Sequence, residues 1–407
     1  MRPKILFIGT SCPFGEISGA GVRTRNVLRL LERIGDVTVV IATGLEWTRE
    51  QMEATRREFN LEVFSQYRSA KNRDLRSRLG KVLNPRFMNT NGVEVPAADR
   101  ARVAELVEAH DVVWLHTLKV ANAFRRYEWP KSIMDVDDFP SRYHRAAARH
   151  APTLREKVKR LQLTFSWERH ERLCLERFGL LTVCKEADRQ AFGEPGRVYV
   201  VPNGFAAPEE ALPKNVVQPN RIGMIGDFNF APNHDGLRWF IREAWGRIRA
   251  QVPKAELRLV GKASQKIAEQ FTELNVEGLG YVPDVAQEMA SWSCMIVPTR
   301  IGGGTHLKVA EGLARRIPIV TSSHGARGYD LTNGKHALIA DDGTEFATAC
   351  IRLLEDPGFA EELRDAGWDH FRARFSWDSI FPSVERVVSE CLRRSGGSEP
   401  ASATTNL

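Results

Sequence analysis

The sequence predicts an α/β fold in two tandem domains, on three observations. Strand-like and helix-like patterns alternate along the chain. The 407 residues exceed what one ordinary core takes up, so two or three domains are expected. The pattern also restarts after a proline-rich polar stretch, FAAPEEALPKNVVQPN at 205–220, of the composition that links domains.

The elements follow in order. KILFIGT (4–10) reads as a buried strand. GVRTRNVLRLLERIG reads as a helix, with Val22, Val27, Leu30, Leu31 and Ile34 near a 3.6-residue period. DVTVVIAT (36–43), VVWLHT (112–117) and SIMDVDD (132–138) read as further strands. LLTVCKEA (180–187) and RVYVVPNG (197–204) close the first series. After the link, RIGMIGD (221–227) resembles the opening strand. ELRLVGK (256–262), VEGLGYV (276–282), CMIVPT (294–299) and IPIVTSS (317–323) follow, with helices between. The domains expected are therefore 1–205, a link at 206–220, 221–375, and a helix over 376–394 that is a candidate to cross back to the first domain. The tail SGGSEPASATTNL (395–407) reads as disordered. Parallel sheets bind ligands outside the carboxyl ends of their strands. Two such sheets facing each other make a crevice suited to a two-substrate reaction that excludes water.

With 43% hydrophobic and 27% charged residues, the composition is that of a soluble globular protein. No apolar run approaches the ~20 residues that span a bilayer. The opening MRPKILFIGTSCPFG holds only a short apolar stretch, Ile5 to Ile8, too short for a secretion signal. The expected location is the cytoplasm, with peripheral attachment to the inner face of the membrane as an extension. The six cysteines (Cys12, Cys174, Cys184, Cys294, Cys350, Cys391) show no metal-site spacing and are expected as reduced, mostly buried thiols.

The net charge of +7 is modest for this length, but it is unevenly placed. Residues 142–172 hold nine Lys/Arg against three Glu, and RSAKNRDLRSRLGK (68–81) is a second basic stretch. Such patches attract phosphate-bearing partners. With no zinc-finger or RNP-type motif, nucleic acid is not the expected partner; an anionic membrane surface is. Within TLREKVKRLQLTF (153–165), Leu154, Val158, Leu161 and Phe165 form one stripe among basic residues. That helix either lies on an anionic membrane or packs on its domain with a basic face outward, and the two can coexist.

The motif with most chemistry is TRIGGGTHLKVAEGLARRIPIVTSS (299–323). Gly302, Gly303 and Gly304 separate a strand from a helix expected over 305–315. Glycines there let backbone N–H groups approach a ligand, and the helix N-terminus adds free donors and a positive dipole end. That suits a phosphate or diphosphate. The segment is neither a Walker loop nor G-x-G-x-x-G. A flexible turn with Thr305 as helix cap is the plainer alternative. Lys308 and Glu311 share a helix face. Lys308 would counter a phosphate, and Glu311 would accept hydrogen bonds from vicinal hydroxyls such as those of a ribose. The plainer alternative is a surface ladder Lys308–Glu311–Arg315, worth about 0.2–0.5 kcal/mol per pair.

This segment resembles the donor site of GT-B glycosyltransferases, family 4 in particular, in a branch with a GGGT turn. VVPNGF (200–205) is similar to that family's domain-joining segment. IGDFNFAPNHDGLRWFIREAWGRI is similar to the opening of its nucleotide domain, and SGAGVRTRNVLRLL to its N-terminal glycine turn and helix. The likeness covers nearly the whole chain and is weakest over 45–100. It implies two tandem Rossmann-like domains with parallel sheets facing an interdomain cleft. It also implies retaining, metal-independent transfer of a sugar from a nucleotide diphosphate sugar, with no cofactor besides that co-substrate. The acceptor would be a glycan or lipid-linked hydroxyl, in surface polysaccharide biosynthesis.

The resemblance assigns roles by position. Glu311 matches the glutamate that holds the ribose. Gly302, Gly303, Gly304 and Thr305 match the turn that faces the donor sugar and diphosphate. Gly19 and Gly21 match the N-terminal glycine loop on the acceptor side. His116 stands where relatives carry a histidine near the reacting sugar, and Asp135, Asp137 and Asp138 follow the next strand. Two departures stand out. Many relatives carry two glutamates with seven residues between them, and here the first is replaced by Gly303. Relatives also place an arginine and a lysine after the first strand of the nucleotide domain. Here, beyond Gly226, that loop holds Asp227, Asn229 and Asn233 instead. Diphosphate charge is then left to helix amides, Lys308, and Arg300 or His306. The acidic run DVDD would suit a metal in the other large glycosyltransferase fold; the resemblance speaks for none, and a helix cap is its alternative role. Two other readings remain open at this level: a nucleotide-sugar epimerase of GT-B type, and a non-catalytic partner of a transferase.

Overall fold

The computed structural model describes residues 2–14, 19–67, 95–137, 139–149, 151, 153–194, 196–208, 217–302 and 304–396. Asp138, Gly303, the basic stretch at 68–81 and the tail from 397 lie outside the described residues. Internal contacts divide the chain into two compact units: Met1–Val201 with Phe381–Leu407, and Pro202–Ile380.

The first unit is built on seven parallel strands: β1 (Lys4–Gly9), β2 (Asp36–Thr43), β3 (Leu61–Gln66), β4 (Val112–His116), β5 (Trp129–Asp135), β6 (Phe178–Val183) and β7 (Val198–Val200). Their order across the sheet is β3-β2-β1-β4-β5-β6-β7. β1 is buried from Ile5 onward and β4 along its whole length, which is why both read as unbroken apolar runs. β3 was not among the expected strands. Its sequence LEVFSQ is half polar and, among the described residues, pairs only with β2, at the edge of the sheet. The helix Gly19–Ile34 returns the chain from β1 to β2, burying Val27, Leu28, Leu30 and Leu31. Trp114, Trp129 and Trp167 fill the core.

The second unit repeats the plan with six parallel strands: β8 (Arg221–Ile225), β9 (Glu256–Val260), β10 (Val276–Gly280), β11 (Cys294–Val297), β12 (Ile319–Thr321) and β13 (Leu338–Ile339). The order is β10-β9-β8-β11-β12-β13. At two residues, β13 is too short to leave a periodic signal. The helix Leu307–Ala314 lies close on the sheet because Gly312 has no side chain. A Cβ there would stand 2.9 Å from Ile319 Cδ1 and 3.2 Å from Met295 Sδ. The α/β class and the restart after the link are thus realised as two sheets of Rossmann order. In each, the crossover direction reverses beside the first strand: between β1 and β4, and between β8 and β11.

Three expectations need correction. The strands expected to run into turn residues end earlier: β5 ends at Asp135, so Asp137 belongs to the turn. The helix Trp377–Gly396 takes in Ser395 and Gly396, both expected in the tail. The helix expected over 153–165 runs Leu154–Arg172, started by Thr153, whose hydroxyl accepts from the Glu156 amide at 3.2 Å. It packs through Thr164, Trp167, His170 and Glu171. The stripe Leu154, Val158, Leu161 and Phe165 is exposed, so the reading in which that stripe packs on the domain does not hold.

All six cysteines are free thiols, and all but Cys12 are buried. Among the described residues no helix is long and apolar enough to cross a membrane.

Candidate functional site

Open parallel sheets bind ligands at the carboxyl ends of the strands where the crossover direction reverses. In the second unit that place lies at the ends of β8 and β11, and the sequence puts its glycines there. Gly226 follows β8 with φ 155°, a conformation open to glycine. A Cβ on it would meet Asn233 Nδ2 at 2.6 Å and Lys308 Nζ at 3.2 Å. Asn233 is buried at the start of the helix Ala231–Phe240. Its amide donates to the Asp227 carbonyl at 2.9 Å, and its Oδ1 accepts from Lys308 Nζ at 2.6 Å. Gly226, Asn233 and Lys308 are therefore one packed group. Asn229 is exposed on the same loop, its amide donating to Asp227 Oδ1 at 2.8 Å.

Beyond β11 the turn runs through Arg300, Gly302, Gly304, Thr305 and His306 into the helix Leu307–Ala314. Gly302 has φ 140° and faces the rings of His306 and His324, whose centroids lie 5.7 Å apart. The helix starts two residues later than expected, and Thr305 does not cap it. His306 holds the cap position without a side-chain capping hydrogen bond. The Thr305 hydroxyl instead accepts from Asn203 Nδ2 at 2.7 Å, tying the VPNG segment to the turn.

The charges here are unequal in their freedom. Arg300 forms a two-pronged pair with Asp235, at 3.0 and 3.1 Å through Nη2. Glu311 is buried, not on a surface ladder, and its Oε1 accepts from Arg315 Nε at 3.0 Å. Burial pushes the Glu311 carboxyl above its ordinary range, against the pull of Arg315 and Lys308. Burial also lowers Lys308 to about 8, opposed by Glu311. The Lys308 side chain keeps partial exposure while its ammonium is enclosed by protein.

In the first unit the reversal lies between β1 and β4, and a buried charge cluster sits there. His116 ends β4 and Asp135 ends β5; the two are register partners, and Asp135 is in turn partnered by Thr182 of β6. Arg23, from the helix after the glycine loop, is 1% exposed. It grips Asp135 twice: Nε to Oδ2 at 2.9 Å and Nη2 to Oδ1 at 2.6 Å. Thr182 donates to Oδ1 at 2.8 Å, and His116 Nδ1 stands 3.0 Å from Oδ2. Burial works against ionisation of Asp135, but the Arg23 guanidinium and the His116 bond outweigh it and hold the carboxyl well below the usual range. An ionised carboxylate only accepts, so His116 carries its proton on Nδ1 toward Asp135. Among the described residues, His116 Nε2 is buried without a hydrogen-bond partner. Such orphans are rare enough to ask for a role.

Asp137 accepts from Cys184 Sγ at 3.2 Å and lies 3.9 Å from Arg23 Nε. Thr117 and Asp137, each just past a strand end, both have positive φ, 75° and 53°. Strain of this kind clusters at functional sites. Gly21 is buried in the helix at this end of the sheet. Gly19 is exposed, with nothing near its Cβ position, so no contact demands a glycine there. Gly303 and Asp138 lie outside the described residues. Sequence reasoning missed Arg23, Thr182, Asn203, His324 and the role of Arg315. Only Arg23 carried a signal, as a charged residue inside an otherwise buried helix face.

Comparison with known proteins fits this geometry. Residues 219–356 match the family model described as Glycosyl transferases group 1. A segment of 98 residues is 34% identical to trehalose synthase of Rubrobacter xylanophilus, covering 24% of this chain and 23% of that enzyme. Among solved structures, HepE of Anabaena in complex with UDP and glucose superposes with a TM-score of 0.64. It is 15% identical, over 95% of this chain and 99% of that one. Sucrose-phosphate synthase of Thermosynechococcus elongatus superposes with a TM-score of 0.65 at 16% identity, over 97% and 100% of the two chains. The fold of the chain is GT-B, and residues 219–356, within its second unit, are similar to the glycosyltransferase group 1 model.

Proposed function

We propose that the protein is a retaining glycosyltransferase that moves a sugar from a nucleotide diphosphate sugar to a hydroxyl of a glycan or lipid-linked acceptor, in surface polysaccharide biosynthesis. The observation that carries the reading is the donor end of the second unit. A glycine turn and a helix N-terminus meet the half-buried Lys308 and the buried Glu311 there, within the segment that matches the group 1 model. A lipid-linked acceptor would be met at a membrane face, which fits peripheral attachment.

Each residue then has work to do. Amides of the turn around Gly302, Gly303 and Gly304 and of the helix start would receive the diphosphate, with the Lys308 ammonium beside them. As the glycosidic bond breaks, negative charge grows on the leaving diphosphate, and donors already in place stabilise it. Glu311, oriented by Arg315, would accept the ribose hydroxyls. His306 and Arg300 flank the turn, and Gly226, Asn229 and Asn233 form the opposite wall. On the acceptor side, His116 would offer Nε2 to a sugar hydroxyl, with Asp135 and Arg23 fixing its orientation. Gly19, Gly21 and Asp137 would border that position.

HepE was solved with UDP and with UDP-glucose, so UDP-sugars come first in a test panel. The test is nucleotide release from UDP-, GDP- and ADP-sugars by wild type and by Glu311→Ala. Slow release from one donor, lost in the variant, is expected. Release that survives the substitution unchanged would remove Glu311 from the site and overturn the assignment.

A further inference from the structure

The hairpin formed by the helices Pro140–Arg149 and Leu154–Arg172 carries an apolar surface that the first unit does not use. The two helices are fastened on their inner sides. The Ser141 amide and hydroxyl donate to the Glu171 carboxylate, and Arg145 pairs with Glu168. Trp167 is fully buried beneath them. The outer side is the unusual one. Leu154 is 77% exposed, Phe165 69%, Val158 46% and Leu161 38%, and Tyr143 of the neighbouring helix is exposed as well.

At about 100° per residue, these four positions of the longer helix fall within about 60° of one another. The buried Thr164, Trp167, His170 and Glu171 lie on roughly the opposite side. An ordinary surface helix is arranged the other way, with its apolar stripe inward. A continuous apolar stripe held outward by a polar and aromatic inner face points to a ligand surface.

The charges beside the stripe say which surface. Arg155, Lys157 and Lys159 are exposed and carry no ion pair among the described residues. Arg149 and Arg172 stand near the two ends of the hairpin. Glu156 and Glu168, the acidic side chains of this stretch not buried in the packing, are already paired with Arg160 and Arg145. A helix with an apolar stripe flanked by free cations and few free anions has the composition that lies in the plane of an anionic bilayer. A protein partner would match the stripe but leaves the surplus of cations unexplained.

We propose that this hairpin docks the protein on an anionic membrane. Leu154, Val158, Leu161 and Phe165 enter the boundary between headgroups and acyl chains, with Arg155 and Lys157, on either side of the stripe, on the headgroup phosphates. The proposal gives the lipid-linked acceptor of the reading above a place to be met, but it stands on the hairpin alone and needs no donor chemistry.

The test is co-sedimentation of the whole protein with phosphatidylcholine vesicles and with vesicles that also contain phosphatidylglycerol. Binding is expected only to the latter, weakening as salt is raised. Leu154→Glu with Phe165→Glu should weaken it by about tenfold or more, and so should Arg155→Glu with Lys157→Glu. All four side chains are exposed, so folding should be unaffected, as circular dichroism will report. Nucleotide release from a soluble donor should be unchanged in both variants. A protein inactive in that assay but still binding vesicles would separate failure of the donor reading from failure of this one. No binding to either vesicle, or binding unchanged in the variants, would overturn the proposal. So would a wild type that self-associates in solution through this stripe, with Leu154→Glu and Phe165→Glu making it monomeric.

Discussion

Replacing Asp135 by Asn tests the cluster of the first unit most directly. Asp135 is fully buried and receives two hydrogen bonds from Arg23, one from Thr182 and one from His116. Arg23 is buried as well, so the neutral amide would take away its closest counterion and leave Asp137, 3.9 Å from Nε, as the nearest anion. Removing one partner of a buried ion pair costs about 3–5 kcal/mol. Whole-chain melting would mix two units, so hydrogen exchange is the better assay. Amides of β4 and β5 should exchange faster by roughly two to four powers of ten. Combining Arg23→Met with Asp135→Leu removes both charges and should recover most of the loss, since a buried pair is often replaceable by apolar residues. The Asp135 carboxyl is held below its unfolded value. Its contribution is therefore complete above about pH 4 and is lost as pH falls toward the folded value. The Asn variant should lack that acid dependence. A cost under about 1 kcal/mol would refute the reasoning, because it would mean that Asp137 or solvent takes over from Asp135 as the partner of Arg23.

Other outcomes follow from the same geometry. The Lys308 ammonium loses its proton above about pH 8, so KM for the donor should rise with pH from there on. A bound diphosphate would move that rise upward, and Lys308→Met should remove it. His116→Gln keeps a polar side chain but not the fixed acceptor, and should lower kcat by about 10²-fold with little change in nucleotide affinity, read by steady-state kinetics. Gly226→Ala brings a Cβ to within 2.6 Å of Asn233 Nδ2 at a φ of 155°. Denaturation should show a loss of about 1–3 kcal/mol, with weakened donor binding as Lys308 is displaced.

The strands were legible because parallel sheets bury both faces, and runs such as ILFI, VVWL and MIV carry no other plausible reading. The turns that hold the site were less so. Where β5 stops is decided by pairing: Asp135 is register partner to both His116 and Thr182, and no local pattern in SIMDVDD marks its first aspartate as the buried one. Thr305 looked like a helix cap because its residue type and position fit. Its hydroxyl is taken by Asn203, a partner about a hundred residues away in sequence. The stripe on Leu154–Arg172 was visible as a stripe, but periodicity gives only the spacing of apolar positions, and which side faces the protein is set by Trp167 and the neighbouring helix.

The donor end of the second unit also bears on how diphosphate charge would be met without the arginine and lysine that relatives place after the first strand. Three cations lie close to the turn or its helix. Arg300 is already matched by Asp235 and Arg315 by Glu311, so neither brings net charge to an incoming anion without breaking a pair. Lys308 bonds to the neutral Asn233, and burial has already lowered its pKa to about 8. A diphosphate arriving there would repay that desolvation by supplying the missing counter-charge, so its binding and the protonation of Lys308 are linked. The group is costly in the empty protein and favourable in the occupied one. Substituting Lys308→Met should therefore raise the stability of the free protein at neutral pH while weakening donor binding. A lysine that merely braces the loop would lose stability on the same change, and paired denaturation and nucleotide titration of this one variant decide between them.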